Sequence, residues 1–130
     1  MKTRKASDIM TTPVVTTRPD AKLTDVIKLL LRHHISGVPV VDESGKLVGV
    51  ITEYDIMNFA QSGDAATTTA SEAMTKEVIT VRPDTSCVEI IDLFAQRRIR
   101  RVPVVERGRV VGIVSRRDLL REMLFLYERY

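Results

Sequence analysis

The chain has 130 residues, of which 44% are apolar and 28% charged, with a net charge of +3. This length fits one compact domain or two tightly joined small halves. No apolar run reaches the roughly 18 residues that a membrane span needs, and no apolar stretch follows the basic N-terminus to form a signal peptide. The single cysteine, Cys87, has no disulfide partner within the chain, so we expect a cytoplasmic protein with Cys87 buried as a small hydrophobe.

Two similar copies follow each other at an offset of about 64 residues. The matching segments are 6–11 with 70–75, 18–20 with 82–84, 38–42 with 102–106, and 49–55 with 112–118. A half of roughly 55 residues is marginal alone because it buries too little surface. We therefore predict one module in which the halves share a core and form a cleft, related by a pseudo-twofold axis.

In chain order, each copy begins with a short β-branched run, at 14–16 and 78–81, that stops at a proline. Asp20 and Asp84 follow as expected helix N-caps. Apolar residues then recur at helical spacing and predict one buried helix face in each copy. These residues are Leu23, Val26, Ile27 and Leu30, then Cys87, Ile90, Ile91 and Phe94.

A hairpin comes next in each copy. Its first strands span 38–41 and 102–105, its turns 43–46 and 107–109, and its return strands 47–51 and 110–114. Pro39 and Pro103 predict an edge or entry position for the first strands, where no ladder N–H is needed. The fold class is thus α/β (α+β), two βαββα repeats at 6–60 and 70–123 joined by a polar linker at 61–69.

The last helix is predicted from about Arg116 to residue 130, beyond the end of its counterpart. One stripe of it carries Leu120, Met123, Leu124 and Tyr127, widened by Leu119, Phe125, Leu126 and Tyr130. Aromatic residues and methionine on a terminal helix favour a protein–protein surface and a homodimer. The alternative is that this helix only caps the core.

The pairs Thr52…Asp55 and Ser115…Asp118 have two explanations. Ser/Thr-x-x-Asp before an apolar run is a variant of the capping box, which involves no ligand. The pairs also lie at strand-to-helix turns, where a helix N-terminus can bind phosphate. Gly49 and Gly112 precede them and would admit another backbone or a ligand. A carboxylate one turn from a hydroxyl suits the ribose and phosphate of a nucleotide.

The ordered set Asp-Ile-Met-Thr, Arg-Pro-Asp, Val-Pro-Val-Val and Gly-x-x-Thr/Ser-x-x-Asp, occurring twice, resembles a tandem pair of CBS (cystathionine-β-synthase) domains, a Bateman module. The resemblance implies binding of adenosine compounds such as AMP, ADP, ATP, S-adenosylmethionine or NAD-type ligands, and a disc-like dimer. It implies that Asp55 and Asp118 bind ribose and that Thr52 and Ser115 bind phosphate. The remaining implied pocket residues, for adenine and for the pocket lining, are Val38, Pro39, Val102, Pro103, Thr16 and Thr80.

Ser36-Gly37 in the first copy stands where the second has Arg100 and Arg101. These arginines belong to a basic group at 97–101 that is either a solvated helix end or an anion site. An anion site would prefer a polyphosphate to the cationic S-adenosylmethionine. We therefore expect ADP or ATP to bind more tightly at a site near the second copy.

The predicted function is a stand-alone, non-enzymatic sensor whose regulatory ligand is an adenine nucleotide and whose effector is a separate, unknown protein. No cofactor is required, and no metal set accompanies His33 and His34. A ligand-independent dimerisation scaffold and nucleic-acid binding through the arginine-rich second repeat are the alternatives. The modest net charge and the lack of interleaved aromatics disfavour nucleic acid.

Overall fold

The structure is a computed structural model that describes residues 4–61 and 63–128. It divides into two compact units, Met1–Val14 with Ile79–Tyr130 (unit 1) and Val15–Val78 (unit 2). These borders differ from the predicted repeat borders at residues 60 and 70. Each unit takes its first segment from the stretch of chain that precedes the other copy's hairpin.

The helices and strands confirm a mixed α and β fold with small antiparallel sheets. In chain order they are α1 (Ala6–Ile9), α2 (Leu23–His33), β1 (Gly37–Val41), β2 (Leu47–Thr52), α3 (Glu53–Ala60), α4 (Ala70–Ala73), α5 (Cys87–Arg97), β3 (Arg101–Glu106), β4 (Arg109–Ser115) and α6 (Arg116–Glu128). β1 pairs with β2 in unit 2, and β3 pairs with β4 in unit 1. Residues 129–130, included in the predicted last helix, lie outside the described residues.

The predicted first strands are wrong as continuous strands. Residues 14–16 and 78–80 are extended but unpaired, and each run makes only one parallel bridge at its end, Thr17 with Val40 and Val81 with Val104. The N–H of Thr17 donates to the carbonyl of Pro39 (3.0 Å). Pro39 therefore turns its carbonyl and its proton-free nitrogen away from β2, which confirms the predicted edge position.

The helix starts were also predicted wrongly at Asp20 and Asp84. The N-caps are Lys22 and Ser86, two residues later. The chain first closes a turn, in which the Ala21 N–H donates to the Arg18 carbonyl (3.1 Å). Of the two caps, only Ser86 uses its side chain, which accepts from the backbone N–H of the third helical residue at 3.2 Å.

Each unit has its own hydrophobic core between its long helix and its hairpin. The predicted helix faces are buried, with Leu23, Val26 and Leu30 in unit 2 and Cys87, Ile90 and Phe94 in unit 1. Cys87 is 4% exposed, so its prediction as a buried hydrophobe is confirmed. Each fully buried Leu, Ile or Val contributes about 1.5–3 kcal/mol.

A short segment that we call the strap begins each unit, residues 4–11 in unit 1 and 68–75 in unit 2. The Arg4 carbonyl accepts from the Cys87 N–H (2.9 Å), and the Thr68 carbonyl accepts from the Leu23 N–H (2.9 Å). Thr68 is 7% exposed. The predicted linker at 61–69 therefore ends in a segment that packs against the start of α2.

Candidate functional site

In unit 2, the hydroxyl and carboxylate of the repeated motif bond to each other at the start of α3. The Asp55 N–H donates to Thr52 Oγ1 (3.3 Å), and Asp55 Oδ2 accepts from the Thr52 N–H (2.9 Å) and hydroxyl (3.1 Å). Thr75 of the strap donates to Asp55 Oδ1 (3.2 Å). Asp55 stays half-buried, so water or a ligand can reach the carboxylate.

In unit 1, the same motif begins α6 but is more deeply enclosed. Asp118 Oδ2 accepts from the Ser115 N–H (2.8 Å) and hydroxyl (3.0 Å). Asp118 Oδ1 accepts from Thr11 Oγ1 and from an Arg121 nitrogen, both at 3.3 Å. Asp118 is 5% exposed. The two carboxylates therefore have the same cap and a different accessibility.

Thr11 and Thr75 are site residues that the sequence reasoning missed. Each follows a methionine in the repeated segment, and each forms an antiparallel bridge to the return strand, Thr11 with Ile113 and Thr75 with Val50. Their occurrence at the same place in both copies was the available signal. They tie the strap to the carboxylate of the same unit.

Gly49 and Gly112 make room for the strap. A Cβ at Gly49 would lie 2.6 Å from Met74 Sδ and 3.0 Å from the Thr75 carbonyl oxygen, and a Cβ at Gly112 would lie 2.8 Å from Met10 Cγ. Such distances are shorter than van der Waals contact. Of the two predicted occupants, another part of the chain or a ligand, the structure shows the chain.

The predicted adenine segments lie in the cores. Val38 and Val102 are 0% exposed, and Pro39 and Pro103 are buried. The side chains of the two valines are enclosed by core neighbours, so only backbone atoms of these segments remain for a ligand.

The remaining predicted pocket residues are more accessible. Thr16 is half-buried and Thr80 is exposed. Gly37 pairs with Thr52 across the sheet of unit 2, and Arg101 pairs with Ser115 across that of unit 1. The register therefore brings Arg101 to the motif of its unit.

Arg100 lies elsewhere, at a cleft of about 470 Å³ between α5 and α6. The cleft is lined by Ile91, Phe94, Ala95, Arg98, Ile99, Arg100, Arg116, Leu119, Leu120 and Met123. The Arg116 N–H donates to the Arg100 carbonyl (3.0 Å) and joins the two ends of this cleft. The two neighbouring arginines therefore serve different surfaces.

The stripe predicted on the last helix is only partly covered. Leu120, Leu124, Phe125 and Tyr127 are 52–70% exposed, whereas Leu119 is 4% exposed and belongs to the core. Tyr130 lies outside the described residues. Within the described part of α6, the helix both closes the core and presents an apolar surface.

A buried ion pair lies beneath the strap of unit 1. Arg4 Nε lies 3.1 Å from Glu122 Oε2, and the Glu122 side chain is 3% exposed. Burial and the charge of Glu122 raise the pKa of the Cys87 thiol from about 9.0 to about 11. Cys87 is therefore a protonated, unreactive thiol at neutral pH.

Among residues 4–61 and 63–128, no cluster of three or more His, Cys, Asp or Glu side chains could hold a metal ion. No helix in these residues is long and apolar enough to cross a membrane.

The chain belongs to the CBS domain family, which it matches over residues 6–62 and 70–125. It is 33% identical over 119 residues to an inosine-5′-monophosphate dehydrogenase of Methanocaldococcus jannaschii; the match covers 91% of the chain but 23% of the enzyme. The chain thus resembles the CBS portion of that enzyme.

Two solved structures share the fold. One is the CBS domain pair of protein MJ0100 in complex with 5′-methylthioadenosine and S-adenosyl-L-methionine, with 33% identity, a TM-score of 0.84, and coverage of 96% of this chain and 99% of that one. The other is CBSX2 in complex with AMP, with 25% identity, a TM-score of 0.85, and coverage of 95% and 98%. Both relatives hold adenosine-containing ligands.

Proposed function

We propose that this chain is a non-enzymatic regulatory module that binds adenosine-containing ligands at its two strand-to-helix motifs. The supporting observation is the pair Thr52/Asp55 and its counterpart Ser115/Asp118, found twice with the same hydrogen bonds. A carboxylate can accept both ribose hydroxyls, and the hydroxyl at the helix start can donate to phosphate. The adenosine ligands of the two solved relatives agree with this chemistry.

The two motifs offer different electrostatics to such a ligand. Arg101 lies across the sheet from Ser115, whereas the uncharged Gly37 lies across from Thr52. An arginine pairs with phosphate bidentately and repels a sulfonium cation. We propose that the unit 1 motif prefers ADP or ATP over S-adenosylmethionine. A ligand there replaces Thr11 or Arg121 as a partner of Asp118.

Isothermal titration with ATP, AMP and S-adenosylmethionine tests the proposal. Asp55→Ala and Asp118→Ala should each remove one site, or weaken it about tenfold or more, because a charge-assisted hydrogen bond contributes about 1.5–3 kcal/mol. Unchanged stoichiometry in both variants would show that other carboxylates bind the ribose. Tighter binding of S-adenosylmethionine than of ATP would refute the phosphate preference.

A matched control separates ligand binding from helix capping, since both variants also delete a capping box. Glu72→Ala removes the capping-box carboxylate of α4, whose backbone partner is the Thr69 N–H (3.3 Å). It should lose a similar stability of about 1 kcal/mol and keep both ligand sites. A loss of binding in Glu72→Ala would assign the effect to general destabilisation.

We propose further that the module acts as a homodimer in the cytoplasm and signals to a separate effector protein. The exposed apolar residues of α6 support a dimer, since such groups mark association surfaces. Light scattering should give twice the chain mass of 14.6 kDa, and Leu124→Glu should shift the chain towards the monomer. A dimer that binds no adenosine compound would favour the scaffold alternative.

A further inference from the structure

Exposed apolar side chains occur on the equivalent helix pairs of both units. In unit 2, Leu31 on α2 is 71% exposed, and Tyr54 and Met57 on α3 are 63% and 54% exposed. In unit 1, Leu120 and Leu124 on α6 are 62% and 57% exposed. Single exposed apolar residues are ordinary, but their grouping on the same helix pair of both units indicates a surface that another molecule covers.

The repeat relates these two faces residue by residue. Ala95 and Leu120 line the cleft between α5 and α6. Their counterparts in the first copy are Leu31 and Met57. We call the α5–α6 surface the basic face and the α2–α3 surface the neutral face, for the charges described next.

The faces differ in charge at three positions. Arg98, Arg100 and Arg116 line the cleft of the basic face, and no carboxylate is among its lining residues. Their counterparts on the neutral face are His34, Ser36 and Glu53. Arg116 begins α6, and the acidic Glu53 begins α3.

This difference decides between two arrangements of a dimer. Pairing of the basic face with itself would bring two sets of three guanidinium groups together, and like charges across an interface cost affinity. Pairing of the basic face with the neutral face of a second copy gives Arg116 an acidic partner in Glu53. A twofold axis would repeat this contact in the same dimer.

We infer that two copies of the chain associate head to tail, with the basic face of one copy against the neutral face of the other. The inference rests on the proposed homodimer and adds its orientation. It makes Glu53 and Arg116 an intermolecular pair.

Cross-linking of single cysteines measures the orientation. Cys87 is buried, so cysteines introduced by Met57→Cys and Leu120→Cys should react selectively with a short bis-maleimide. A mixture of the two variants should give a covalent dimer, and each variant alone should give little. Strong cross-linking of Leu120→Cys with itself would overturn the head-to-tail arrangement. A monomer in light scattering of the unmodified chain would instead overturn the proposed dimer and the inference with it.

Charge exchange gives an independent test by sedimentation equilibrium. Glu53→Arg and Arg116→Glu should each weaken dimerisation about tenfold, and their combination should restore most of it. Pairing of like faces predicts the opposite for Arg116→Glu, which would relieve repulsion and tighten the dimer. Glu43→Arg, at a hairpin position whose side chain is 95% exposed, is the matched control and should leave dimerisation unchanged.

Discussion

The two units hold their straps by the same backbone hydrogen bonds on seats of different chemistry. In unit 2 the Thr68 carbonyl meets the start of a helix whose first side chain, Leu23, is apolar and buried. In unit 1 the Arg4 carbonyl makes the equivalent bond to Cys87. The conserved contact is therefore in the backbone, and the side chains around it were free to diverge.

The divergence is largest at one position of the last helix. Glu122 of unit 1 stands where unit 2 has Phe59, which packs against the apolar core. Glu122 Oε1 is buried and accepts no hydrogen bond within the described residues. An unsatisfied buried polar group costs about 1–3 kcal/mol. The comparison shows an apolar seat replaced by an ion pair that is bonded on one oxygen only.

The largest expected effect comes from breaking this pair. Arg4→Met leaves the Glu122 carboxylate buried without its partner and should lower the free energy of unfolding by about 2–3 kcal/mol. This is less than for a fully enclosed pair, because the Arg4 side chain is 47% exposed. Urea unfolding measures the change.

The double variant Arg4→Met/Glu122→Leu sharpens the comparison, since it makes unit 1 resemble unit 2. It should recover most of the loss or exceed the original stability, because an apolar replacement of a buried pair is often neutral or stabilising. Lys5→Met, at the exposed neighbouring position, is the control and should change little. A double variant as unstable as Arg4→Met would show that the pair contributes specific stability.

The next effect tests the close approach of strap and return strand. Gly49→Ala should lose about 1–3 kcal/mol, because the new methyl group meets both Met74 and the Thr75 carbonyl. Gly112→Ala should lose less, since all three of its nearest atoms belong to the Met10 side chain. Thermal unfolding of both variants compares them. Equal losses would indicate that Met10 is as immobile as the strap backbone.

The smallest effect concerns Cys87 and pH. The folded pKa of about 11 lies above the ordinary value of about 9.0, so the folded state holds this proton more tightly. Its contribution is complete below pH 9 and is lost as pH rises through 11, about 1.4 kcal/mol of it by pH 10. Cys87→Ala should lack this part of the alkaline slope in urea unfolding. Identical slopes would mean that other groups cause the whole dependence.

Much of the fold could be predicted because its signals are local. The helix faces through Val26 and Ile90 and the two hairpins follow from periodicity and turn residues. The helix starts at Leu23 and Cys87 could not be placed, since Asp20 and Asp84 carry the usual cap side chains but lie in a preceding turn. Propensity gave the residue types there, and the tertiary contacts of the straps fixed the boundary.

The candidate site was predictable in part for the same reason. Thr52 with Asp55 and Ser115 with Asp118 are three residues apart, so their capping geometry follows from the sequence pattern. The burial of Asp118 did not follow, because Thr11 approaches it from 107 residues away.

The sequence by itself therefore determined the duplication, the CBS family and the residues at each helix start, since these depend on order and spacing. Only the tertiary structure decided which strap belongs to which unit and how enclosed each carboxylate is. Arg4 and Glu122 are 118 residues apart, and no local pattern specifies such a contact. Its physical cause is the burial of the strap against a helix that the chain forms only at its other end.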